Sequence, residues 1–277
     1  MPHDFNQRVI DEFRAHRGRV GPPFENARLL LLTTTGARSG RPHTTPVGYL
    51  PDGDRVLVIA SAGGAPRHPA WFHNLLANPE VTVEDGVFTY PARATVLEGD
   101  ERDRAFARAV ETDPGWAEYQ ARTSRTIPVV ALERVGGGPP NASSPGEGLR
   151  LVHDAFRREL ALIRDEIARS GPGLGAQLRV NCLTLCQGLR FHHTVEDSGL
   201  FPHLAEHRPD LAPVLARLGQ EHQRIAALLE ELQRVISTPH ADRERVLAEV
   251  DRLTADLEAH LTYEEEQLIP ILDAPAA

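Results

Sequence analysis

The C-terminal half of this chain carries the same arrangement of possible metal ligands twice. His192 opens the phrase HHTVEDSGLFP and His260 opens the phrase HLTYEEEQLIP, and in both a glutamate follows four residues later. Residues four apart lie on one face of an α-helix, so each imidazole can share a bound ion with its carboxylate. A single histidine within a helical stretch precedes each phrase at nearly the same interval. The pattern predicts a metal site with six ligands, namely His153, His192, Glu196, His222, His260 and Glu264.

The chemistry of these ligands limits which metal they suit. Carboxylates on the apolar faces of two helices are costly to bury unless a cation neutralises them. Imidazole together with carboxylate suits Fe, Mn or Zn, and the set is too rich in nitrogen for Ca or Mg. Four imidazoles and two bridging carboxylates fit a pair of irons and leave a coordination position for O₂ or another small ligand. Zinc without iron is the alternative.

The elements that must position these ligands are helical. Residues 136–148, GGGPPNASSPGEG, have the composition of a flexible linker. The apolar periodicity after them is helical in four segments, which predicts an up-down four-helix bundle over residues 149–277. The remaining histidines of this half, His203, His207 and His240, are expected at solvated helix ends or in loops.

Residues 1–135 have a different pattern. Short apolar or β-branched runs bounded by Gly, Pro and Asp predict about six strands, and the runs cover residues 27–36, 42–50, 55–61, 80–99 and 127–135. Helices are expected only at HPAWFHNLLAN and DERDRAFARAVETD. Many strands with few helices favour a small closed barrel over a parallel α/β sheet. The predicted fold class is therefore α+β with two domains.

The C-terminal half, residues 149–272, resembles the haemerythrin-like (HHE cation-binding) domains, whose hallmark is H…HxxxE…H…HxxxE with LFP closing the second helix. The resemblance implies a non-haem di-iron centre with an oxo or hydroxo bridge. Oxygen-carrying haemerythrins have a fifth histidine four residues from the one on the third helix, where Leu218 and Ala226 flank His222 here. This departure argues against reversible O₂ carriage and leaves redox catalysis, sensing or NO chemistry open. About 100° of helix rotation separates His193 from His192, so His193 is expected outside the ligand set, although ligation by it or by Glu265 is left open.

Two glycine-bearing turns in the first half could bind an anion. TTTGARSGRPHTTP and ASAGGAPRHPAWFHNLLANP each bring hydroxyls, free backbone N–H groups and arginines together after an apolar strand. Such a turn can cradle a phosphodiester without a nucleotide-fold motif. Each turn by itself is also compatible with an ordinary hairpin.

These two turns, together with WAEYQARTSRTIPVVALERV, resemble the deazaflavin-dependent nitroreductase family over residues 20–135. The resemblance implies a split β-barrel of the flavin-reductase type that uses coenzyme F420, with FMN as the alternative cofactor. It assigns the cofactor's phosphate, acidic tail, linker and ring to Arg38, Ser39, Gly40, Arg41, Ser61, Gly63, Gly64, Trp71 and Asn74. Tyr119 is the candidate catalytic proton donor, and a homodimer is expected on the same basis.

The composition of the chain limits its possible binding partners and its possible location. A net charge of −9 argues against nucleic acid and anionic membranes, and no apolar run reaches the roughly 18 residues that span a bilayer. The start of the chain lacks a signal-peptide core, so a cytoplasmic location is expected. Cys182 and Cys186 are expected to be buried helix residues without a disulfide. The chain has no lysine, which excludes Schiff-base catalysis by lysine.

Two functional hypotheses follow. The first is an F420H₂-dependent oxidoreductase coupled to a di-iron centre that activates O₂, acting as an oxidase or oxygenase on a small organic substrate. The second is a sensor or scavenger of O₂, NO or iron, with the barrel as a regulatory cofactor-binding module. A deazaflavin transfers hydride and is a poor one-electron donor to iron. Two modes of coupling therefore stay open: direct electron transfer from the cofactor to the di-iron centre, and action of the two domains in sequence on one organic substrate. The substrate is not predicted.

Overall fold

The computed structural model describes residues 3–25, 27–171, 173–238 and 241–274. The chain divides into two compact units, Met1–Asn141 and Ala142–Ala277. The described parts of the chain contain no helix long and apolar enough to cross a membrane.

The first unit is a closed antiparallel barrel, which confirms the predicted barrel and the α+β fold class. Its six strands are β1 (Leu29–Thr35), β2 (Pro42–Asp52), β3 (Arg55–Ile59), β4 (Glu80–Glu84), β5 (Thr89–Val96) and β6 (Val129–Arg134). They pair in the order β1-β2-β3-β6-β5-β4, and β4 closes on β1. Closure satisfies the edge of every strand and fills the interior with side chains.

Four helices cover the barrel, namely α1 (His3–Ala15), α2 (Ala70–Ala77), α3 (Gly99–Thr112) and α4 (Gly115–Ala121). The sequence predicted α2 and α3 but neither α1 nor α4. Helix α1 packs Val9, Ile10 and Phe13 against Leu29 and Leu31 of β1. Its place is therefore fixed by burial of one face against a strand.

The described part of the second unit is mostly helical, with α5 (Pro145–Arg169), α6 (Ala176–Val195), α7 (Phe201–His207), α8 (Ala212–Ile236) and α9 (Arg243–Leu272). A π-helical turn, Glu196–Leu200, joins α6 to α7 with helical backbone angles at its ends. Helix α5 begins inside the stretch predicted as linker, because the Ser144 side chain accepts a hydrogen bond from the Glu147 backbone N–H at 3.2 Å and caps the helix. Residues 145–148 are thus helical.

The helices form a ring around one core, since α5 packs against α6 and α9, and α8 packs against the same two helices. A large leucine-rich cluster fills one part of the interior, and a smaller one with Phe201 and Leu268 fills another. Along α8, His222 stands between Leu218 of the smaller cluster and Ile225 of the larger. The histidines therefore occupy a layer between two apolar clusters.

Candidate metal centre and candidate cofactor cavity

The six predicted metal ligands come together inside the second unit. Two groups of possible ligand atoms, each with all members within 4.8 Å of one another, are His153, His192, Glu196 and Glu264, and His193, His222 and His260. Each of α5, α6, α8 and α9 supplies one of the four predicted histidines. His193 was placed outside the ligand set from the sequence, but it lies in the second group.

Each predicted carboxylate approaches histidines from two helices. Glu196, the first residue of the π-helical turn, has Oε1 3.2 Å from His192 Nε2 and Oε2 3.6 Å from His222 Nε2. Glu264 Oε2 lies 3.5 Å from Nε2 of both His153 and His260. Each carboxylate therefore lies within reach of an ion bound by either of its two histidines.

Three of the histidines are oriented by carboxylates on their outer side. The Nδ1 contacts are His153 with Glu265 (2.9 Å), His222 with Asp197 (2.8 Å) and His260 with Glu221 (3.1 Å). A carboxylate that accepts from Nδ1–H leaves the Nε2 lone pair facing inward, and it makes the imidazole a better ligand. Asp197 and Glu221 were not predicted from the sequence, although all three acids directly adjoin a predicted ligand. Glu265 lies on the Nδ1 side of His153, outside both groups of possible ligands.

Two arginines hold the outer carboxylates in their charged form. Arg157 donates to Glu265 at 2.7 Å and Arg217 donates to Glu221 at 2.9 Å. Burial opposes ionisation of both glutamates, but hydrogen bonds from the arginine and from the histidine outweigh it, so the pKa of each lies below its ordinary value. Glu221 and Glu265 are therefore anionic near neutral pH.

The inner layer has the electrostatics of a cation site. Both carboxylate oxygens of Glu196 and Glu264, and Nε2 of His222 and His260, are buried without a hydrogen-bond partner among the described residues. Burial raises the pKa of Glu264 to about 8 and also raises that of Glu196. Burial lowers the pKa of His192 to about 2. Unsatisfied buried acceptors that converge in this way are rare and costly unless something binds them. The residues present therefore fit a metal pair.

The other reactive side chains of this unit have ordinary surroundings. Cys182 and Cys186 form no disulfide and are fully buried, and burial raises the pKa of Cys186 to about 12. These findings agree with the expectation of buried, unbridged cysteines. His203 and His207 are exposed on α7, as expected, and His240 lies outside the described residues.

The first unit contains a cavity of about 910 Å³. Four of the residues assigned to cofactor binding line it, namely Arg38, Ser39, Trp71 and Asn74. Helix α1 lines another side with Asn6, Gln7 and Arg14, and His43 and His73 also reach it. None of these five lining residues was predicted from the sequence, and only His43 and His73 stand within the turn phrases quoted above.

Backbone geometry and one side chain shape the turn beside this cavity. Gly40 has a φ of +64°, where glycine is favoured, and its N–H donates to the Gly36 carbonyl at 2.8 Å. Asn74 Oδ1 accepts from the Ala37 N–H at 3.0 Å, and Asn74 Nδ2 donates to Thr34 Oγ1 at 3.0 Å. Asn74 therefore ties the turn to helix α2.

Two arginines of this turn are available to an anion. Arg38 and Arg41 are exposed, and neither side chain forms an ion pair or hydrogen bond with another residue in the described parts of the chain. Ser39 Oγ accepts from the Arg41 backbone N–H at 3.2 Å and lies 3.1 Å from His43 Nε2. The turn thus offers two cations and a hydroxyl at one place.

The remaining predicted residues form a second group. Ser61, Gly63, Gly64 and Tyr119 are not among the residues that line the cavity, and neither are Gly40 and Arg41. A Cβ at Gly64 would stand 2.8 Å from the Tyr119 carbonyl oxygen, so the two segments are in close contact. Arg125 holds the loop of residues 61–65 in place by donating hydrogen bonds to the carbonyls of Ser61 (2.7 Å) and Ala65 (3.0 Å). The roles of these residues in cofactor binding and catalysis stay predictions.

The first unit, a closed barrel with a cavity beside an arginine-bearing turn, has the form of a cofactor-binding reductase. The second unit, a helical bundle with a histidine–carboxylate cluster, has the form of a metal-binding domain. Comparison with known proteins agrees. Residues 6–134 match the family model for F420H(2)-dependent quinone reductase, and residues 144–272 match the model for the haemerythrin HHE cation-binding domain. The chain belongs to the F420H(2)-dependent quinone reductase family of oxidoreductases, with an HHE domain as its second unit.

Individual relatives match the first unit. An F420H(2)-dependent quinone reductase of Mycobacterium tuberculosis is 40% identical over 126 residues, which cover 44% of this chain and 85% of the relative. A second protein of that organism, also named for F420H(2)-dependent quinone reduction, is 37% identical over 115 residues, covering 41% and 97%. The solved structure of an F420-H2 dependent reductase (FDR-A) has 43% identity, covers 38% of this chain and 94% of its own, and gives a TM-score of 0.36.

Proposed function

We propose that this chain is an F420H₂-dependent oxidoreductase whose second unit holds a non-haem di-iron centre that activates O₂. The observation that carries the proposal is the buried layer in which both oxygens of Glu196 and Glu264 and Nε2 of His222 and His260 have no hydrogen-bond partner among the described residues. The family of the first unit supports F420 as the source of reducing equivalents.

In the second unit, His153, His192, His222 and His260 would hold two irons, with Glu196 and Glu264 shared between them. A di-iron centre supplies a binding position for O₂ and two one-electron oxidation steps. The outer carboxylates keep Nε2 of three imidazoles aimed inward, as their Nδ1 hydrogen bonds indicate. Phe156 lies 5.4 Å from the His192 ring and Phe201 stacks on the His222 ring at 5.3 Å, and these apolar rings limit access of water.

In the first unit, the cavity would take the cofactor. Arg38 and Arg41 carry charge of the sign that attracts its phosphate and acidic tail, and Trp71 contributes an apolar wall. F420H₂ supplies a hydride when bound. Tyr119 would donate the proton to the acceptor, and its backbone carbonyl lies close to Gly64 in the loop assigned to the cofactor ring. The names of the relatives favour a quinone as the organic acceptor.

The electron counts of the two units agree, because a hydride carries two electrons and a full Fe(III)/Fe(II) cycle of two irons also involves two. The decisive test is O₂ consumption by the full chain with F420H₂, comparing the wild type with Glu196→Ala. Glu206→Ala is the matched control, since Glu206 is exposed on α7. We expect iron-dependent O₂ uptake that Glu196→Ala abolishes and Glu206→Ala retains.

Equal O₂ uptake by the wild type and Glu196→Ala would refute the coupled reaction. Metal analysis of the purified chain belongs to the same experiment, because two irons per chain are expected and zinc alone would exclude the di-iron centre. Binding of O₂, NO or iron without turnover would favour a sensor or scavenger. The expected homodimer is checked by light scattering on the same sample.

A further inference from the structure

His193 lies inside the bundle although it directly follows a predicted ligand. It is 5% exposed, whereas Phe191, two residues earlier, is 71% exposed. Its ring is parallel to that of His222, with centroids 4.0 Å apart and 12° between the planes, and meets the His260 ring edge-on at 5.3 Å. Its Nε2 is buried without a hydrogen-bond partner among the described residues.

The position of α6 explains how two consecutive histidines both face the interior. Helix α6 packs against α5 on one side and against α8 on the other. His192 faces α5, where its ring contacts His153 at 5.2 Å, and His193 faces α8 and α9. The buried stripe of a bundle helix is about 100° wide or more, so residues 100° apart can occupy its two edges.

A supporting role for His193 does not fit its contacts. A residue that orients a metal ligand does so through a hydrogen bond to it, and carboxylates already supply that bond to His222 and His260. The Nε2 of His193 has no such bond. Ligands on opposite sides of one metal stand ~4.2 Å apart. All possible ligand atoms of this group lie within 4.8 Å of one another, and binding one ion requires the stacked His193 and His222 rings to turn until a nitrogen of each faces it.

We propose that His193 binds, through Nε2, the metal ion held by His222 and His260. That metal then has three imidazoles, while the metal at His153 and His192 has two. The inference rests on the proposed metal centre and adds a ligand to it. The imidazole missing from the third helix is supplied by α6, and a small external ligand is expected at the metal beside His153 and His192, which has fewer imidazoles.

The test uses the full chain reconstituted anaerobically with ⁵⁷Fe(II). His193→Phe keeps a stacked ring but removes the nitrogen, and His193→Ala removes both. His203→Phe is the matched control because His203 is exposed on α7. Iron content against a competing chelator and the Mössbauer spectrum are measured, and the unfolding temperature of the metal-free proteins is compared first.

The wild type should show two quadrupole doublets of equal area, because its two irons have different ligands. Loss of a direct ligand should lower the affinity for one iron by on the order of 100-fold or more. This is at or above the range for loss of a residue that hydrogen-bonds to a ligand. We expect this loss, with disappearance of one doublet, in both His193 variants and not in His203→Phe. If the Phe variant does not fold, the Ala variant decides by the same measurement.

Two failures are distinguishable. Retention of both irons with wild-type affinity and an unchanged spectrum in a folded His193 variant would overturn the inference and leave the proposed function standing. A wild-type chain that binds fewer than two metal ions would overturn the proposed metal centre itself.

Discussion

The outer carboxylates give the sharpest test of the metal centre that does not touch a ligand. Glu265 accepts from His153 Nδ1 at 2.9 Å and from Arg157 at 2.7 Å, and its side chain is only 17% exposed. Loss of such an outer partner typically weakens metal binding about 10- to 100-fold. Glu265→Gln keeps an oxygen that can accept from His153 Nδ1, so the ring stays oriented although the negative charge is lost. We therefore expect Glu265→Gln to weaken metal binding at the lower end of this range, about tenfold, which corresponds to ~1.4 kcal/mol.

Glu265→Ala should have the larger effect, about 100-fold, because it removes both the negative charge and the acceptor that orients the His153 ring. Chelator competition for Fe(II) under anaerobic conditions measures both values. Glu266→Gln and Glu266→Ala are the matched controls, since Glu266 is the next residue of α9 and is exposed. Equal metal affinities for the Glu265 and Glu266 variants would refute the role of the outer carboxylate.

Three further outcomes are expected. Cys182 and Cys186 should resist alkylation at pH 8 in the folded protein and react once it is unfolded, because both are fully buried and burial raises the pKa of Cys186 to about 12; rapid labelling of native protein would contradict this. Asn74→Ala should weaken F420 binding by about 5- to 10-fold in a fluorescence titration, because it removes the hydrogen bonds to Ala37 and Thr34 that hold the turn. An unchanged affinity would show that the turn does not contribute to F420 binding. Leu253→Ala should lower the free energy of unfolding by about 2–5 kcal/mol in denaturant titration, since Leu253 is fully buried, and a loss below 1 kcal/mol would contradict the described core.

The strands of the barrel were predictable because their apolar runs are local and end at glycine, proline or aspartate. Helix α1 was not predicted, although Phe5, Val9, Ile10 and Phe13 recur at helical spacing; the strand they pack against follows later in the chain. A helix of this length draws most of its stability from such packing rather than from its own sequence. The start of α5 was missed for a smaller reason, since Ser144 and Glu147 form a cap within residues whose composition suggested a linker.

The inner layer of the metal site was predictable from spacing within single helices, as with His192 and Glu196. The outer layer was not, because its hydrogen bonds join residues far apart in sequence. Asp197 pairs with His222, and Glu221 pairs with His260, across two different helix interfaces. From the sequence alone, an acid beside a ligand is indistinguishable from an ordinary surface charge, and only the packing of α8 against its neighbours gives it a function.

His193 shows why rotation about one helix axis is an incomplete guide to a site built from four helices. A turn of 100° from His192 does not carry the side chain to solvent, because α6 has one neighbour on each side of its buried stripe. It moves the imidazole from the α5 side, beside His153, to the α8 side, beside His222. In the proposed centre, the two adjacent histidines therefore serve different metal positions. They would make the two positions chemically unequal even though the surrounding ligand phrases repeat almost symmetrically.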